Sequence, residues 1–350
     1  MPIYNDDNEQ LEKIELIMEG SERGLDTSIY SNPEFNVAQM KQIKEGLERG
    51  IDVSVYAKSE FNSEQMEQIK EGLKRGFDVS VYAKPEFNVE QMKHIRYGLW
   101  YGLDVSVYAK PEFNAEQMCS IRSGLEEGLD ASFFAKPEFD NMQMYVIRMG
   151  LQSEVDVSVY ANPKINWMKM DSIRYGLEKG IDVSAYAEQG FDHKQLDQIC
   201  EGLYDRVDVS IYAKRDFNYR KMENIRLGLK SGVDVFPYYE LKYNHSQVEQ
   251  IRLGLEDGLD VTAYTNLEFN FNQMEQIRMG LEDGLEVSVY AKPKFDAKQM
   301  EKIRIGLKNG IDVSVYAKPE FSTEQMAEIK HRKNGSLKNE NSNTTKMKLF

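Results

Sequence analysis

The sequence contains few of the residues that usually carry chemistry. Among its 350 residues there are only two cysteines and four histidines. Cys119 and Cys200 have no Cys or His neighbours at metal-ligand spacing, so we expect reduced structural thiols, no metal and no cofactor. The histidines accompany no nucleophile, and no glycine-rich phosphate loop follows a predicted strand. We therefore expect a non-enzymatic protein with no catalytic residues.

Long hydrophobic runs are also missing. Nowhere are about 18 consecutive residues apolar, the length that a membrane-spanning helix needs. Residues 1–10 are polar and acidic, without the apolar segment of a secretory signal. The sequence therefore predicts a soluble protein of the cytoplasm that does not bind membranes.

Positive charge is in deficit, since 44 Lys and Arg residues face 58 Asp and Glu residues, for a net charge of −14. Residues 331–350 hold five basic residues and one acidic residue, a net charge of +4, so residues 1–330 carry −18. Such a body repels nucleic-acid phosphates, which makes direct nucleic-acid binding unlikely. A protein partner that is itself basic or nucleic-acid-binding is compatible with this charge.

What the sequence does have is a repeat with a constant period of 26 residues. One register holds Phe35, Phe61, Phe87, Phe113, Phe139, Ile165, Phe191, Phe217, Tyr243, Phe269, Phe295 and Phe321. The repeat leaves no room for an independent domain, so we expect one domain over residues 1–330, with an atypical capping repeat over 1–34. Residues 331–350, rich in Asn, Ser, Thr and Lys, predict a disordered basic tail.

Each repeat opens with the signals of a helix. In the copy over residues 35–60, Asn36 can cap the first turn and Gln39 can reciprocate in a capping box. Met40, Ile43 and their equivalents form one apolar stripe. Gly50 can end the helix in the left-handed conformation.

Two glycine columns raise further expectations. The helix-ending glycine is replaced by Glu154 and Arg206, where we expect strained or differently shaped turns. A second glycine inside each helix, such as Gly46, costs helix stability, so we expect it to allow close approach of a neighbouring backbone.

The second element of the repeat, residues 52–57, has two interpretations. Alternating β-branched and polar residues would suit a strand of an α/β solenoid. Positions equivalent to Val53, Tyr56 and Ala57 stay apolar, however, which is the spacing of a helix, and one copy has Pro237 where a central strand would need a donor. We favour a short helix capped by the aspartate that opens it.

A single repeat buries too little apolar surface to fold alone, so copies must stack. The sequence therefore predicts an all-α fold. We expect a right-handed α-solenoid of about twelve helix–turn–short-helix repeats, elongated and superhelical.

The consensus Phe-Asn-x-x-Gln-Met-x-x-Ile-Arg-x-Gly-Leu-x-x-Gly-Leu-Asp-Val-Ser-x-Tyr-Ala-x-Pro-Glu resembles a tandem repeat of proteins from gut Firmicutes and their mobile elements. Its Gly-Leu-Asp-Val segment is also similar to the helix-to-loop turn of ankyrin repeats, although this unit is shorter and lacks the Thr-Pro-Leu-His motif. The resemblance covers nearly all of the chain. It implies an α-solenoid used for binding, and it brings no catalytic residues.

Basic residues follow the isoleucine in almost every copy and would form a ladder in a stack. They are Lys44, Lys70, Arg96, Arg122, Arg148, Arg174, Arg226, Arg252, Arg278, Arg304 and Lys330. They could grip phosphates or an acidic partner. We favour a structural role, in which each pairs with a carboxylate of the Glu48 type at i+4 or of the Asp52 type across the stack. For the tyrosine column that contains Tyr56 we likewise favour packing between repeats over base stacking.

Binding specificity is expected where the copies differ. Aromatic residues and methionines replace charged or small residues at Tyr97, Trp100, Tyr101, Met142, Tyr145, Met149, Trp167 and Tyr175. Such side chains on a charged surface are the usual anchors of a protein interface, and we assign them to partner binding. Local repacking of an irregular bend is an equally open interpretation.

Three functions fit these observations. The first is a protein-binding repeat scaffold that acts through an acidic surface with mid-array aromatic anchors. The alternative is an inhibitor, such as an anti-defence protein, that mimics nucleic acid and blocks the basic cleft of a nucleic-acid enzyme. A structural spacer is the third.

Overall fold

A computed structural model of the chain describes residues 4–332, with side chains from residue 8 onward. Every regular element in that range is a helix, so the predicted all-α repeat solenoid is confirmed and the strand alternative for the second element is wrong. The chain divides into two compact units, Met1–Ala187 and Glu188–Phe350. The handedness, the superhelical shape and the single domain stay predictions. The predicted tail lies outside the described residues except for 331 and 332, which are helical.

In unit 1, long α-helices alternate with single turns of 3-10 helix. The α-helices are α1 (Tyr4–Glu22), α2 (Val37–Glu48), α3 (Ser63–Lys74), α4 (Val89–Trp100), α5 (Ala115–Glu126), α6 (Asn141–Gln152), α7 (Trp167–Glu178) and the short α8 (Ser184–Glu188). The 3-10 turns are Thr27–Ile29, Val53–Val55, Val79–Val81, Val105–Val107, Ala131–Phe133 and Val157–Val159. Each of the helices α1 to α6 packs on the next in sequence, so the last such pair is α6 with α7.

Unit 2 repeats the pattern. Its helices are α9 (His193–Tyr204), α10 (Tyr219–Ser231), the short α11 (Phe236–Glu240), α12 (His245–Glu256), α13 (Phe271–Glu282) and α14 (Ala297–Lys308), followed by a helix over residues 323–332. Its 3-10 turns are Val209–Ile211, Val261–Ala263 and Val287–Val289. The long helices α9, α10, α12, α13 and α14 pack consecutively.

The predicted helix signals are present. The Asn36 Oδ1 accepts a hydrogen bond from the Gln39 amide, and the Gln39 Oε1 accepts one from the Asn36 amide, both at 2.9 Å, so the capping box is confirmed. Gly50 ends the helix with φ +67°. Glu154 and Arg206 hold the same left-handed conformation, with φ of 57° and 60°. These two turns keep their shape, and their backbone is strained because the Cβ of a left-handed residue lies too close to the following carbonyl oxygen.

The second element is a 3-10 turn capped by its aspartate, as predicted. The Asp52 Oδ1 accepts hydrogen bonds from the Ser54 amide at 3.0 Å and the Ser54 hydroxyl at 2.6 Å. The hydroxyl, and then the amide, hold the pKa of Asp52 below its usual value. This cap keeps the aspartate ionised on an exposed surface.

The tyrosine column is buried in most layers, which confirms its packing role, whereas Tyr186 and Tyr238 are half-buried. The Tyr56 ring is fully buried, and its hydroxyl donates to the Gln42 carbonyl at 3.2 Å. A Cβ on Gly46 would lie 2.0 Å from the Tyr56 hydroxyl. The inner glycine therefore makes room for a tyrosine ring of its own layer, and the expected close approach of a neighbouring backbone is wrong here.

One glutamine per layer joins that layer to the next. The Gln39 Nε2 donates to the Phe61 carbonyl at 2.6 Å while its Oε1 caps its own helix. The same bond is made by Gln65, Gln91, Gln117 and Gln143 in unit 1 and by Gln195, Gln247, Gln273 and Gln299 in unit 2. Lys169 and Lys221 replace this glutamine and lack the bridge.

Candidate protein-interaction surface

All eight residues assigned to partner binding lie in unit 1, on α4, α6 and α7 or directly after α4. The structure exposes Tyr97, Trp100, Tyr101, Met142, Tyr145 and Tyr175 to solvent, with 43%, 49% and 61% exposure for the first three. Met149 and Trp167 are half-buried. Met168, which sequence reasoning missed, is 41% exposed. We call Tyr97, Trp100, Tyr101, Met142, Tyr145, Met149, Met168 and Tyr175 the aromatic surface.

The helix register brings these side chains to one face. Side chains about one period apart touch across neighbouring helices, as where the Gln152 Nε2 donates to Glu127 at 2.9 Å. Residues 97, 123, 149 and 175 share one register position, which holds Tyr, Ser, Met and Tyr. Cys119 on α5 shares the position of Tyr145 on α6. Ser123 of α5 therefore lies between Tyr97 of α4 and Met149 of α6, and no charged residue interrupts this row from α4 to α7. The row of Cys119 and Tyr145 is flanked by Lys93 on α4 and Asp171 on α7.

Cations orient the exposed rings. The Arg75 guanidinium lies 3.6 Å from the centroid of the Trp100 ring. The guanidinium of Arg96 lies 5.0 Å from the Tyr97 ring, and that of Arg122 lies 6.0 Å from the same ring. Each such contact contributes about 0.5–1 kcal/mol at an exposed site. The rings are thus held in place before any partner arrives.

The basic ladder is paired with carboxylates, which supports the structural interpretation of this column. Carboxylates at i+4 pair with Lys44 (3.8 Å), Arg174 (2.6 Å), Arg252 (2.7 Å), Arg122 and Arg278. Carboxylates of the preceding layer pair with Lys70 (2.5 Å), Arg148 (2.7 Å), Arg226 (3.1 Å) and Arg304 (3.5 Å). The expected pairing with the Asp52 column is wrong, because those aspartates cap the 3-10 turns instead.

Beneath the aromatic surface, two arginines of the ladder lack a hydrogen bond that other ladder arginines make to the preceding helix. The arginine Nε usually donates to a glutamine of the preceding helix, as Arg278 does to Gln250 at 2.9 Å. On α4 and α5, His94 and Ser120 replace that glutamine. The Nε atoms of Arg122 and Arg148 and the Nδ1 of His94 are consequently buried without a hydrogen-bond partner. Burial, and then the charge of Arg122, lower the pKa of His94.

A separate row of acidic residues is formed by the aspartates that cap the starts of the 3-10 turns in unit 1. Asp52, Asp78, Asp104 and Asp130 are all exposed. Serine hydroxyls, and then serine amides, hold the pKa of each below its usual value. The row thus presents one fixed negative charge per layer.

No group of three or more His, Cys, Asp or Glu residues within the range 4–332 could hold a metal ion. No helix there combines the length and the apolar character that crossing a membrane requires.

Comparison with protein-family models, with curated proteins and with solved structures finds no match for this chain. The class that the fold defines is the all-α repeat solenoid. The resemblance to the repeats of gut Firmicutes stays a prediction.

Proposed function

We propose that this chain is a non-enzymatic scaffold that binds a protein partner in the cytoplasm, through an acidic surface on which the aromatic surface is the anchor. The observation that carries the proposal is a change of side-chain type at fixed helix positions. Residues 45, 48 and 49 on α2 are Glu, Glu and Arg, whereas their equivalents on α4 are Tyr97, Trp100 and Tyr101. Aromatic side chains, methionine and arginine are the residues enriched where proteins bind each other.

The regular backbone beneath these residues supports a binding role over local repacking. The helices α4, α5, α6 and α7 each have 12 residues, the same as α2 and α3. The layers of α4, α5 and α6 also keep the glutamine bridge to the following layer. No irregular bend among these helices requires large apolar side chains on the solvent side.

Affinity capture from the native cell with three versions of the chain tests this proposal. The first is the wild type, and the second replaces Tyr97, Trp100 and Tyr101 by alanine. The third, a matched control, replaces Leu241, Leu267 and Phe271 of unit 2, which are 58%, 56% and 43% exposed. We expect a partner that the wild type and the control retain and that the first triple variant loses. Circular dichroism of each version checks that the fold is intact.

Equal retention by all three versions, or equal loss from both triple variants, contradicts the proposal. Salt gives a second readout. Binding anchored by aromatic side chains should weaken much less with rising ionic strength than binding by an acidic row alone, because burial of apolar surface is not screened.

The acidic row favours a second candidate function, an inhibitor that presents carboxylates in place of nucleic-acid phosphates. Replacing Asp52, Asp78, Asp104 and Asp130 by asparagine tests it, because asparagine keeps the capping oxygen and removes the charge. If this candidate is correct, the captured partner binds duplex DNA, the wild-type chain displaces that DNA at low salt, and the asparagine variant does not. Displacement by both versions excludes it.

A further inference from the structure

Arg96 differs from the rest of the basic ladder. Every other ladder member on α2 to α14 makes an ion pair with a carboxylate, whereas Arg96 makes none among the described residues. Its Nε and Nη2 both donate to the Gln68 Oε1, at 3.2 and 3.1 Å. No hydrogen bond of its Nη1 is found among residues 4–332. A guanidinium in this half-buried position is therefore left without a counter-charge.

Of the three positions from which carboxylates pair with other ladder residues, two hold no carboxylate beside Arg96 and the third holds one that pairs elsewhere. At i+4, where Arg122 finds Glu126, stands Trp100. At i−21, the place from which Glu127 reaches Arg148, stands Arg75. At i−25, Glu71 pairs with Lys74 at 3.5 Å instead.

These substitutions leave two arginines of an acidic chain without ion pairs to any residue from 4 to 332. Arg75 is exposed and makes no ion pair in the part of the chain that the structure describes, and it lies stacked on the Trp100 ring. The Arg96 guanidinium lies beside the Tyr97 ring, and Arg96 itself stands one turn of α4 before Trp100. Two uncompensated guanidinium groups and two exposed rings thus occupy adjacent positions on the same face.

From this arrangement we infer that the aromatic surface takes a short acidic segment of a protein partner, in which a carboxylate pairs with Arg96 and Arg75 and an apolar side chain packs on Tyr97 and Trp100. The inference rests on the proposed function and names the chemistry of its partner. The planar fork of a guanidinium matches a carboxylate, and nearby rings exclude water from the pair.

The rest of the chain limits the length of that segment. Residues 1–330 carry a net charge of −18, which repels a long acidic tract. On α5, Ser123 is the register neighbour of Tyr97 and leaves room for a side chain of the partner. The ligand is therefore one or two Asp or Glu residues next to an aromatic or aliphatic residue.

Selection of displayed random short peptides on the full-length chain tests the inference. We expect enrichment of peptides with Asp or Glu beside Trp, Phe or Leu. The dissociation constant of an enriched peptide should rise at least about tenfold for Arg96→Gln, which corresponds to about 1.4 kcal/mol. The matched control is Arg278→Gln, which removes a ladder arginine that is paired with Glu282, and it should change the constant less than about twofold.

A second variant tests the inference independently in case Arg96→Gln does not fold. Trp100→Glu introduces the i+4 carboxylate that Arg122, Arg174 and Arg278 have, so the fold should be kept while Arg96 gains a partner within the chain. Peptide binding should be lost. Enrichment of neutral or basic peptides, no enrichment over the Trp100→Glu protein, or equal affinity for wild type and Arg96→Gln each overturns the inference.

Retention of the natural partner by two variants distinguishes a failure of this inference from a failure of the proposed function. If the Tyr97/Trp100/Tyr101 alanine variant loses the partner and Arg96→Gln retains it fully, the acidic segment is wrong and the protein-binding function stands. If both variants retain the partner, both are wrong.

Discussion

The glutamine bridge gives a quantitative test of how the layers hold each other. Gln91 is 5% exposed, its Nε2 donates to the Phe113 carbonyl of the next layer at 2.6 Å, and its Oε1 accepts from the Asn88 amide at 2.7 Å. Gln91→Met keeps the side-chain volume and removes both bonds. The carbonyl and the amide then stay buried or half-buried without partners.

The expected cost follows from these two groups. A buried carbonyl without a donor costs about 1–3 kcal/mol, and the half-buried amide adds about 0.5–1.5 kcal/mol. The variant should therefore lose about 1.5–4.5 kcal/mol locally. Since 1.4 kcal/mol is a factor of ten, hydrogen exchange of amides in α5 should accelerate about 10- to 1,600-fold.

Hydrogen exchange read by mass spectrometry is the suitable assay, because repeat arrays open locally and a single unfolding free energy would average over layers. Gln152→Met is the control, since Gln152 is exposed on α6 and bonds only to the Glu127 side chain. Its effect should stay within about 0.5 kcal/mol. If Gln91→Met accelerates exchange in α5 no more than the control does, the bridge does not couple the layers.

Three further predictions concern the framework. Glu154→Gly should stabilise the chain by about 1 kcal/mol in chemical denaturation, because glycine relieves the left-handed strain, and Gly128→Glu should destabilise it by a similar amount; a loss of stability in the first variant would contradict this. Gly98→Ala should lower the melting temperature strongly, because its Cβ would lie 1.9 Å from the Tyr108 hydroxyl, and an unchanged melting curve would show that the close contact is wrong. Burial raises the pKa of Tyr108, so the stabilisation from its neutral phenol is present below the unfolded value of about 10 and is lost as pH rises beyond it. We expect tyrosinate absorbance and loss of helical signal to rise together in alkali, whereas full ionisation with the helices intact would refute the buried column.

Local signals in the sequence predicted the elements correctly. The capping box of Asn36 and Gln39 and the terminal Gly50 act within a few residues of themselves, so one copy of the repeat is enough to recognise them. Comparison among copies predicted a helix and not a strand for the second element, because Pro237 is tolerated in a first helical turn and not in a central strand.

Contacts between layers could not be derived in the same way. The role of Gln39 as a donor to Phe61 depends on how closely two helices stack, which no spacing along the chain specifies. The error over Asp52 has a related cause. Its carboxylate is satisfied by Ser54 two residues away, and that local bond removes it from the ladder across the stack.

The candidate surface was predicted from side-chain type more than from helix position. Tyr97, Trp100 and Tyr101 are exposed because they occupy positions that carry charges in other copies. Trp167 is the first residue of α7 and is half-buried, whereas its neighbour Met168 occupies the outward position of Met142. Applying the 26-residue register to every apolar residue would have found Met168.

The aromatic surface as the anchor of a protein complex is the central claim. The most direct measurement is hydrogen–deuterium exchange of the full chain with and without the partner purified on it. We predict that the partner slows exchange in α4 to α7 and leaves α12 to α14 unchanged. Slower exchange confined to α12 to α14, or no change in α4 to α7, would contradict the claim.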